Sequence, residues 1–272
     1  MSSPSTISVD KLARLVGTPK CPILIDVRID EDFKRCPRLI PGSVERNYDK
    51  VSDWAQQLRG SSAVIICQRG AKLSQGVAAL LRHEGIPADI LEGGFEAWSQ
   101  HKLPTVATER LPPRDGQGRT VWVTRARPKI DRIACPWLIR RFVDPKAVIL
   151  FVAPQEVPAV AERFNGAPFD IEDVFWSHRG PKCTFDVMIE ELGLAIEPLQ
   201  RLAVIVRGAD TARLDISPEA PGLLAASLGL SRMFADDLEQ LEAGMLLCDA
   251  FYRWCRDGTG ETHNWPTNKP RT

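Results

Sequence analysis

No sign of charge dominates this sequence. Lysine and arginine number 35, and aspartate and glutamate number 35. Bulk charge therefore offers no pull toward nucleic acid or an anionic membrane, although a local patch is not excluded. No apolar run approaches the roughly 20 residues that span a bilayer. The opening Met-Ser-Ser-Pro-Ser-Thr has neither basic residues nor an apolar stretch, so it does not read as a secretory leader. The seven cysteines include no C-x-x-C pair and no disulfide-scaffold spacing. That pattern points to reduced thiols and a cytoplasmic setting. Also missing are H-E-x-x-H and paired C-x-x-C ligand spacings, a helix-turn-helix signature, and a basic stretch interleaved with aromatic residues.

What is present suits a globular protein. Apolar residues make up 44%, and 272 residues leave room for one large domain or two ordinary ones. The most informative stretch is Ala63-Val-Ile-Ile-Cys67-Gln-Arg-Gly-Ala-Lys72-Leu-Ser-Gln-Gly-Val-Ala-Ala-Leu-Leu81. Its β-branched start reads as a buried strand. Its end, with Val77, Leu80, Leu81 and small alanines, reads as a helix with a buried face. Between them lies a short loop with Arg69, Gly70 and Lys72. A cysteine at such a strand end faces peptide N–H groups and the positive end of a helix dipole, which favours a nucleophilic thiolate and suits an anion or a persulfide. A lone cysteine is often simply a core residue. A core cysteine, however, needs neither a glycine three residues on nor two cations within five.

This loop resembles the active-site loop of the rhodanese (sulfurtransferase) family. Leu24-Ile-Asp26-Val-Arg28 resembles the family's D-x-R strand, Ile40-Pro-Gly-Ser43 its I-P-G-A turn, and Ile90-Leu-Glu-Gly93-Gly94-Phe-Glu-Ala-Trp98 its GG…W ending. The match runs over about residues 5 to 105. It implies Cys67 as the catalytic nucleophile, residues Gln68, Arg69, Gly70, Ala71 and Lys72 as the substrate-binding loop, and Asp26 and Arg28 as loop support. Sulfurtransferase loops place the basic residue five after the cysteine, where Lys72 stands; related phosphatases carry arginine one position later, where Leu73 stands. Two positions depart from the family pattern. Lys72 replaces the commoner arginine, exchanging a fork for a point charge. Leu73 replaces a usual Ser or Thr hydroxyl. Both weigh against thiosulfate as an efficient donor. Cys36, in the irregular stretch from Arg28 to Asn47, is a second thiol that could resolve a Cys67 persulfide as a disulfide.

The pattern predicts helices at 8–16, with Ser8 as N-cap, and at 51–58, 73–85 and 95–101. Strands are predicted at 23–27, 63–66 and 88–91. Alternation of this kind makes a parallel sheet with helices on both faces, with ligands at the carboxyl ends of its strands. Residues 1–107 read as this domain and 108–118, with Pro112-Pro113 and Arg-Asp-Gly-Gln-Gly, as a linker. Residues 119–272 read as a second, mainly helical α/β domain. There the pattern predicts two strands (120–124 and 147–152), a helix capped by Asp131 despite Pro136 inside it, and helices at 157–164, 184–192, 198–207 and 218–228. A last helix has Leu238, Leu241, Met245, Cys248, Tyr252 and Cys255 on its apolar stripe.

The second domain resembles the C-terminal domain of the ChrB family of chromate-resistance proteins. The residues are Trp122-Val-Thr-Arg125-Ala-Arg127-Pro-Lys-Ile-Asp131-Arg-Ile-Ala-Cys135-Pro-Trp-Leu-Ile-Arg-Arg141, Trp176-Ser-His178-Arg179-Gly, Cys183-Thr-Phe-Asp186, Val206-Arg207-Gly-Ala-Asp210-Thr and Glu261-Thr-His263-Asn-Trp265. The resemblance implies a role in chromate resistance. Family members have been proposed as chromate-responsive regulators, with a different N-terminal region from the one here. Within residues 119–141, seven basic residues face only Asp131. Arg125, Arg127, Lys129 and Arg132 form the expected oxyanion site, since guanidinium groups grip dianions bidentately. The alternative is a solvated basic face closed by salt bridges. For a metal, His178, Cys183, Glu242 and His263 are candidate ligands, with Asp170, Glu172, Asp186 and Asp210 also of suitable type. Cys135, among cations, reads as a thiol of lowered pKa or as a packed core residue.

Two functions follow. One is a sulfurtransferase working through a Cys67 persulfide, with a sulfane-sulfur donor, a thiol acceptor and no cofactor. The other is a chromate-, oxyanion- or redox-responsive regulatory protein with little turnover. A docking role for an unreactive first domain is a third. Neither a membrane nor nucleic acid is an expected partner.

Overall fold

The computed structural model describes residues 6–261. Its first half contains β1 (Thr6–Ile7), α1 (Val9–Leu15), β2 (Ile23–Asp26), α2 (Asp30–Arg35), β3 (Arg38–Leu39), β4 (Ser43–Glu45), α3 (Val51–Trp54), β5 (Ala63–Ile66), α4 (Lys72–His83), β6 (Ala88–Leu91), α5 (Gly94–Gln100) and β7 (Val106–Ala107). Five strands make a parallel sheet in the order β1-β6-β5-β2-β4, and β3 pairs antiparallel with β7. Ser8 caps α1 as expected, accepting from Lys11 N. Successive strand residues point to opposite faces, and the core divides accordingly. Ile25, Ile65 and Ile90 meet α3 and α4 through Trp54, Leu58, Val77 and Leu81. Leu24, Val64 and Ile66 face the other way, toward Leu12 of α1 and Phe95 and Trp98 of α5.

The second half contains β8 (Val121–Arg125), α6 (Asp131–Leu138), β9 (Val148–Val152), α7 (Val157–Arg163), β10 (Ala167–Pro168), α8 (Thr184–Glu191), α9 (Glu197–Asp210), α10 (Ala220–Met233) and α11 (Asp237–Arg253). Its small parallel sheet, β10-β8-β9, has one strand more than the sequence pattern predicts. Pro136 does not break its helix. The helix runs through it and continues as a π turn over Ile139–Val143.

Residues 108–118 contain little apolar content, yet the halves they join are packed together. The α1/α5 side of the first sheet shares one apolar cluster with Trp137, Phe142 and Tyr252. Gly42 N donates to Phe142 O at 2.7 Å. The Phe142 ring lies so close to Gly17 that a Cβ there would meet it at 2.3 Å. Arg256 reaches back to the Arg14 carbonyl at 3.1 Å. All seven cysteines are free. Among the described residues no helix is long and apolar enough to cross a membrane.

Candidate active site

Cys67 follows β5 at the carboxyl edge of the first sheet and is 5% exposed. The chain turns through residues 68–71 into α4, the turn made possible by Gly70 at φ +64°. Two glycines clamp this loop. Gly93 and Gly94 both adopt positive φ, and a Cβ on Gly94 would meet Cys67 O at 2.2 Å and Gly70 N at 2.5 Å. Phe95 N and Glu96 N then donate to Cys67 O and Gln68 O, each at 3.0 Å. The GG…W stretch is thus the seat of the cysteine loop.

The loop leaves its donors unused. Among the described residues, the N–H groups of Gln68 through Lys72 donate to no protein acceptor. Ala71, at the N-cap of α4, has no side chain to occupy them. A cleft of about 640 Å³ opens over the cysteine and is lined by Gln68, Arg69, Ala71, Lys72 and Leu73, and by Asp32, Arg35 and Glu96. Gln68, one of the lining residues, has a buried Oε1 without a hydrogen-bond partner. Arg69 is exposed and pairs with Glu96 at 3.1 Å, so its charge is partly spent before any donor arrives. Arg35 is a cation that the sequence reading missed. Its helix, α2, buries no residue, so apolar spacing does not announce it. Acidic residues in its first turn and basic ones in its last are the signal that was there to read.

Asp26 and Arg28 sit one layer away. Arg28 Nη2 meets Asp26 Oδ2 at 2.8 Å, with side-chain exposures of 0% and 1%. The guanidinium also donates to the Cys36 and Arg38 carbonyls and lies 3.8 Å from the centre of the Phe95 ring. It ties the 36–38 segment to the residue that follows the glycine clamp. Burial pushes the Asp26 carboxyl up despite Arg28.

In the second half, the four cations expected to form one oxyanion site do not converge. Arg127 is turned onto the Ser231, Phe234 and Ala235 carbonyls. Arg125 and Arg132 both meet Asp170 Oδ2, at 3.3 and 3.2 Å. Lys129 is exposed. Farther along, Arg140 pairs with Glu242 at 2.6 Å and Arg141 with Asp249 at 2.8 Å. The basic run is largely closed by carboxylates that lie elsewhere in the sequence.

The same structure assembles a polar cluster at the carboxyl edge of the small sheet. Asp131 opens α6, Asp170 follows β10 and Asp210 ends α9, and all three approach the imidazole of His178. Thr184 N, at the start of α8, donates to Asp131 Oδ2 at 2.6 Å, and its hydroxyl donates to Asp170 Oδ1 at 2.9 Å. Burial pushes Asp131 up to about 7, against the pull of His178. Burial would raise Asp170 as well, but His178, Thr184, Arg132 and Arg125 hold it below the usual range. The surrounding carboxylates of Asp131, Asp170 and Asp210 push His178 up to about 12. Asp131 is therefore not the cap of its own helix, as the sequence suggests, but a buried member of this cluster. Asp170, Ile130 and Arg127, all nearby, have positive φ, which non-glycine residues adopt at a cost.

Of the candidate metal ligands, His178 lies in the cluster. Cys183 is fully buried beside Asp131, and burial followed by that charge pushes its thiol well up. Glu242 is spent on Arg140. His263 lies outside the described residues. Of the two readings of Cys135, the structure matches the packed core residue: it is fully buried, and burial, then Asp131 and Asp170, push its thiol far up.

Comparison with known proteins agrees with this division. Residues 8–101 match the rhodanese-like domain family and residues 122–255 the ChrB C-terminal domain family. Protein ChrB of Cupriavidus metallidurans is 31% identical over 144 residues, which are 53% of this chain and 43% of that protein. The chain thus spans less than half the length of this curated relative. Among solved structures, a rhodanese-related protein from Thermoplasma volcanium is 21% identical, with 38% of this chain and 98% of that one covered and a TM-score of 0.33. A thiosulfate sulfurtransferase from Pseudomonas aeruginosa is 24% identical, with 40% and 20% covered and a TM-score of 0.34. A rhodanese-like domain protein from Staphylococcus aureus is 28% identical, with 35% and 90% covered and a TM-score of 0.32. One part of the chain thus matches the rhodanese-like domain family and another the ChrB C-terminal domain family.

Proposed function

We propose that this protein is a sulfurtransferase that carries sulfur as a persulfide on Cys67, within a chain whose second half links it to chromate resistance. The observation that carries the reading is the set of unused N–H groups from Gln68 to Lys72, grouped around a cysteine at a helix start. Peptide donors in this arrangement stabilise a negative charge on sulfur. The Cys67 thiolate attacks the outer sulfur of a donor such as thiosulfate. The donor's S–S bond breaks, sulfite leaves with the electron pair, and Cys67-S–S⁻ remains. A thiol acceptor then attacks the terminal sulfur and returns Cys67 as thiolate, a ping-pong cycle. Lys72 brings positive charge to the cleft that would receive the anionic donor, and Arg35 stands there paired with Asp32 at 3.4 Å.

The test is intact mass after incubation with thiosulfate, or with another sulfane-sulfur donor, followed by cyanide. One added sulfur that cyanide removes and Cys67→Ala abolishes is the expected result. No gain with any donor overturns the enzyme reading. It would favour the regulatory alternative, for which the absence of a hydroxyl at Leu73 and the pairing of Arg69 with Glu96 are the supporting observations.

A further inference from the structure

The His178 cluster is hard to explain as a set of hydrogen bonds. Its Nε2 atom stands 3.5 Å from Asp131 Oδ2, 3.4 Å from Asp170 Oδ1 and 3.2 Å from Asp210 Oδ2. One imidazole nitrogen has one hydrogen to give, yet three carboxylates surround it. Charge-assisted N–H···O contacts settle at about 2.7–2.9 Å, and none of these is that short. The 3.5 and 3.4 Å from Nε2 to the Asp131 and Asp170 oxygens are the spacing of ligands about a common ion: atoms about 2.1 Å from a tetrahedral zinc stand about 3.4 Å from one another. Nε2 and the Asp131 and Asp170 oxygens all lie within 4.8 Å of each other.

A second observation is independent of that spacing. Asp131 is fully buried, and the other oxygen of the carboxylate that faces His178, Oδ1, has no hydrogen-bond donor. A buried acceptor left without a donor carries a desolvation cost that a cation would relieve. The remaining contacts fix the geometry of the set. Thr184 holds both Asp131 and Asp170 from the start of α8, and Arg125 and Arg132 take Asp170 Oδ2, leaving Oδ1 turned toward His178. These are the outer-shell contacts that orient carboxylate ligands. The His178 side chain is 42% exposed, so an ion has a route in.

We propose that Asp131, Asp170 and His178, with Asp210 beside them, bind one divalent first-row metal ion. The donor set of one imidazole nitrogen and carboxylate oxygens suits Zn²⁺ or Mn²⁺. His178 coordinates through the Nε2 lone pair, and any proton it carries passes to solvent. The site is separate from Cys67 and stands whether or not sulfur transfer does.

The experiment uses the full chain, stripped with chelator, in equilibrium dialysis against Zn²⁺ and, separately, Mn²⁺, with bound metal counted by mass spectrometry. Wild type and Cys67→Ser are expected to take up about one ion per chain, and His178→Ala and Asp210→Asn to bind at least about tenfold more weakly. His178 and Asp210 both reach solvent, so the two variants are independent of a loss of fold, which circular dichroism checks. Uptake that Cys67→Ser abolishes, uptake unchanged in both cluster variants, or no stoichiometric uptake by wild type would each overturn the site.

Discussion

Among single residues, Arg28 gives a clear energetic prediction. It is a buried guanidinium whose charge is matched by Asp26. Removing one partner of such a pair leaves the other charge uncompensated, at about 3–5 kcal/mol. Arg28→Met is therefore expected to lower unfolding free energy by that amount in urea titration; a change under about 1 kcal/mol would refute the role. The pH dependence has a definite sign. Burial already holds the Asp26 carboxyl above its unfolded value, so its contribution is present below the unfolded pKa and lost as pH rises through the folded one. Arg28→Met removes the opposing pull and widens that window. The variant should be least stable near neutrality and recover as pH falls toward about 4. Cys67, its loop and the D-x-R pair were legible because each has a local pattern. The role of Asp131 was not, because a helix-start aspartate looks like a cap, and the cations near Cys135 left an activated thiol open beside the packed one that the structure shows. Burial by segments distant in sequence decides both cases.

At the scale of elements, the cysteine loop depends on backbone that does not belong to it. Gly94→Ala would put a Cβ against Cys67 O and force a side chain into positive φ. The expected result is a Cys67 that persulfurates at least about tenfold more slowly, since misplacing a reacting group by an ångström costs on that order or more, with overall fold retained by circular dichroism. An unchanged rate would mean the clamp is not needed. Lys72, the first residue of α4, restores a bidentate grip when changed to arginine, so Lys72→Arg should raise kcat/KM for thiosulfate and not for an uncharged persulfide donor. Equal effects on both would contradict the assigned contact. β5 and α4 were readable from apolar spacing. α2 was not, because it buries nothing, and β10 was not, because two residues carry no period and become a strand only by pairing with β8.

For the whole molecule, the division into two family domains does not make two independent bodies. One apolar cluster runs from Ile7 to Cys255, and Phe142 seals it against Gly17. Calorimetry is expected to show one cooperative transition. Phe142→Ala should shift that whole transition by about 3–5 kcal/mol, the cost of deleting a buried aromatic side chain. Two separable transitions in wild type would defeat this reading. The polar composition of 108–118 reads as a linker and carries no sign of how the halves it joins meet. The apolar surfaces that lock the halves together lie far from it in sequence, so no local pattern reported them.

Every residue that lines the Cys67 cleft falls between Asp32 and Glu96. The second half packs against the far side of the first sheet, and among the described residues it contributes no wall to this cleft. Under the proposed function, donor and acceptor would come and go through the same mouth, in turn. An influence of the second half on Cys67 would be carried by the sheet it packs against, and under the proposed function it would register in how fast sulfur loads and leaves.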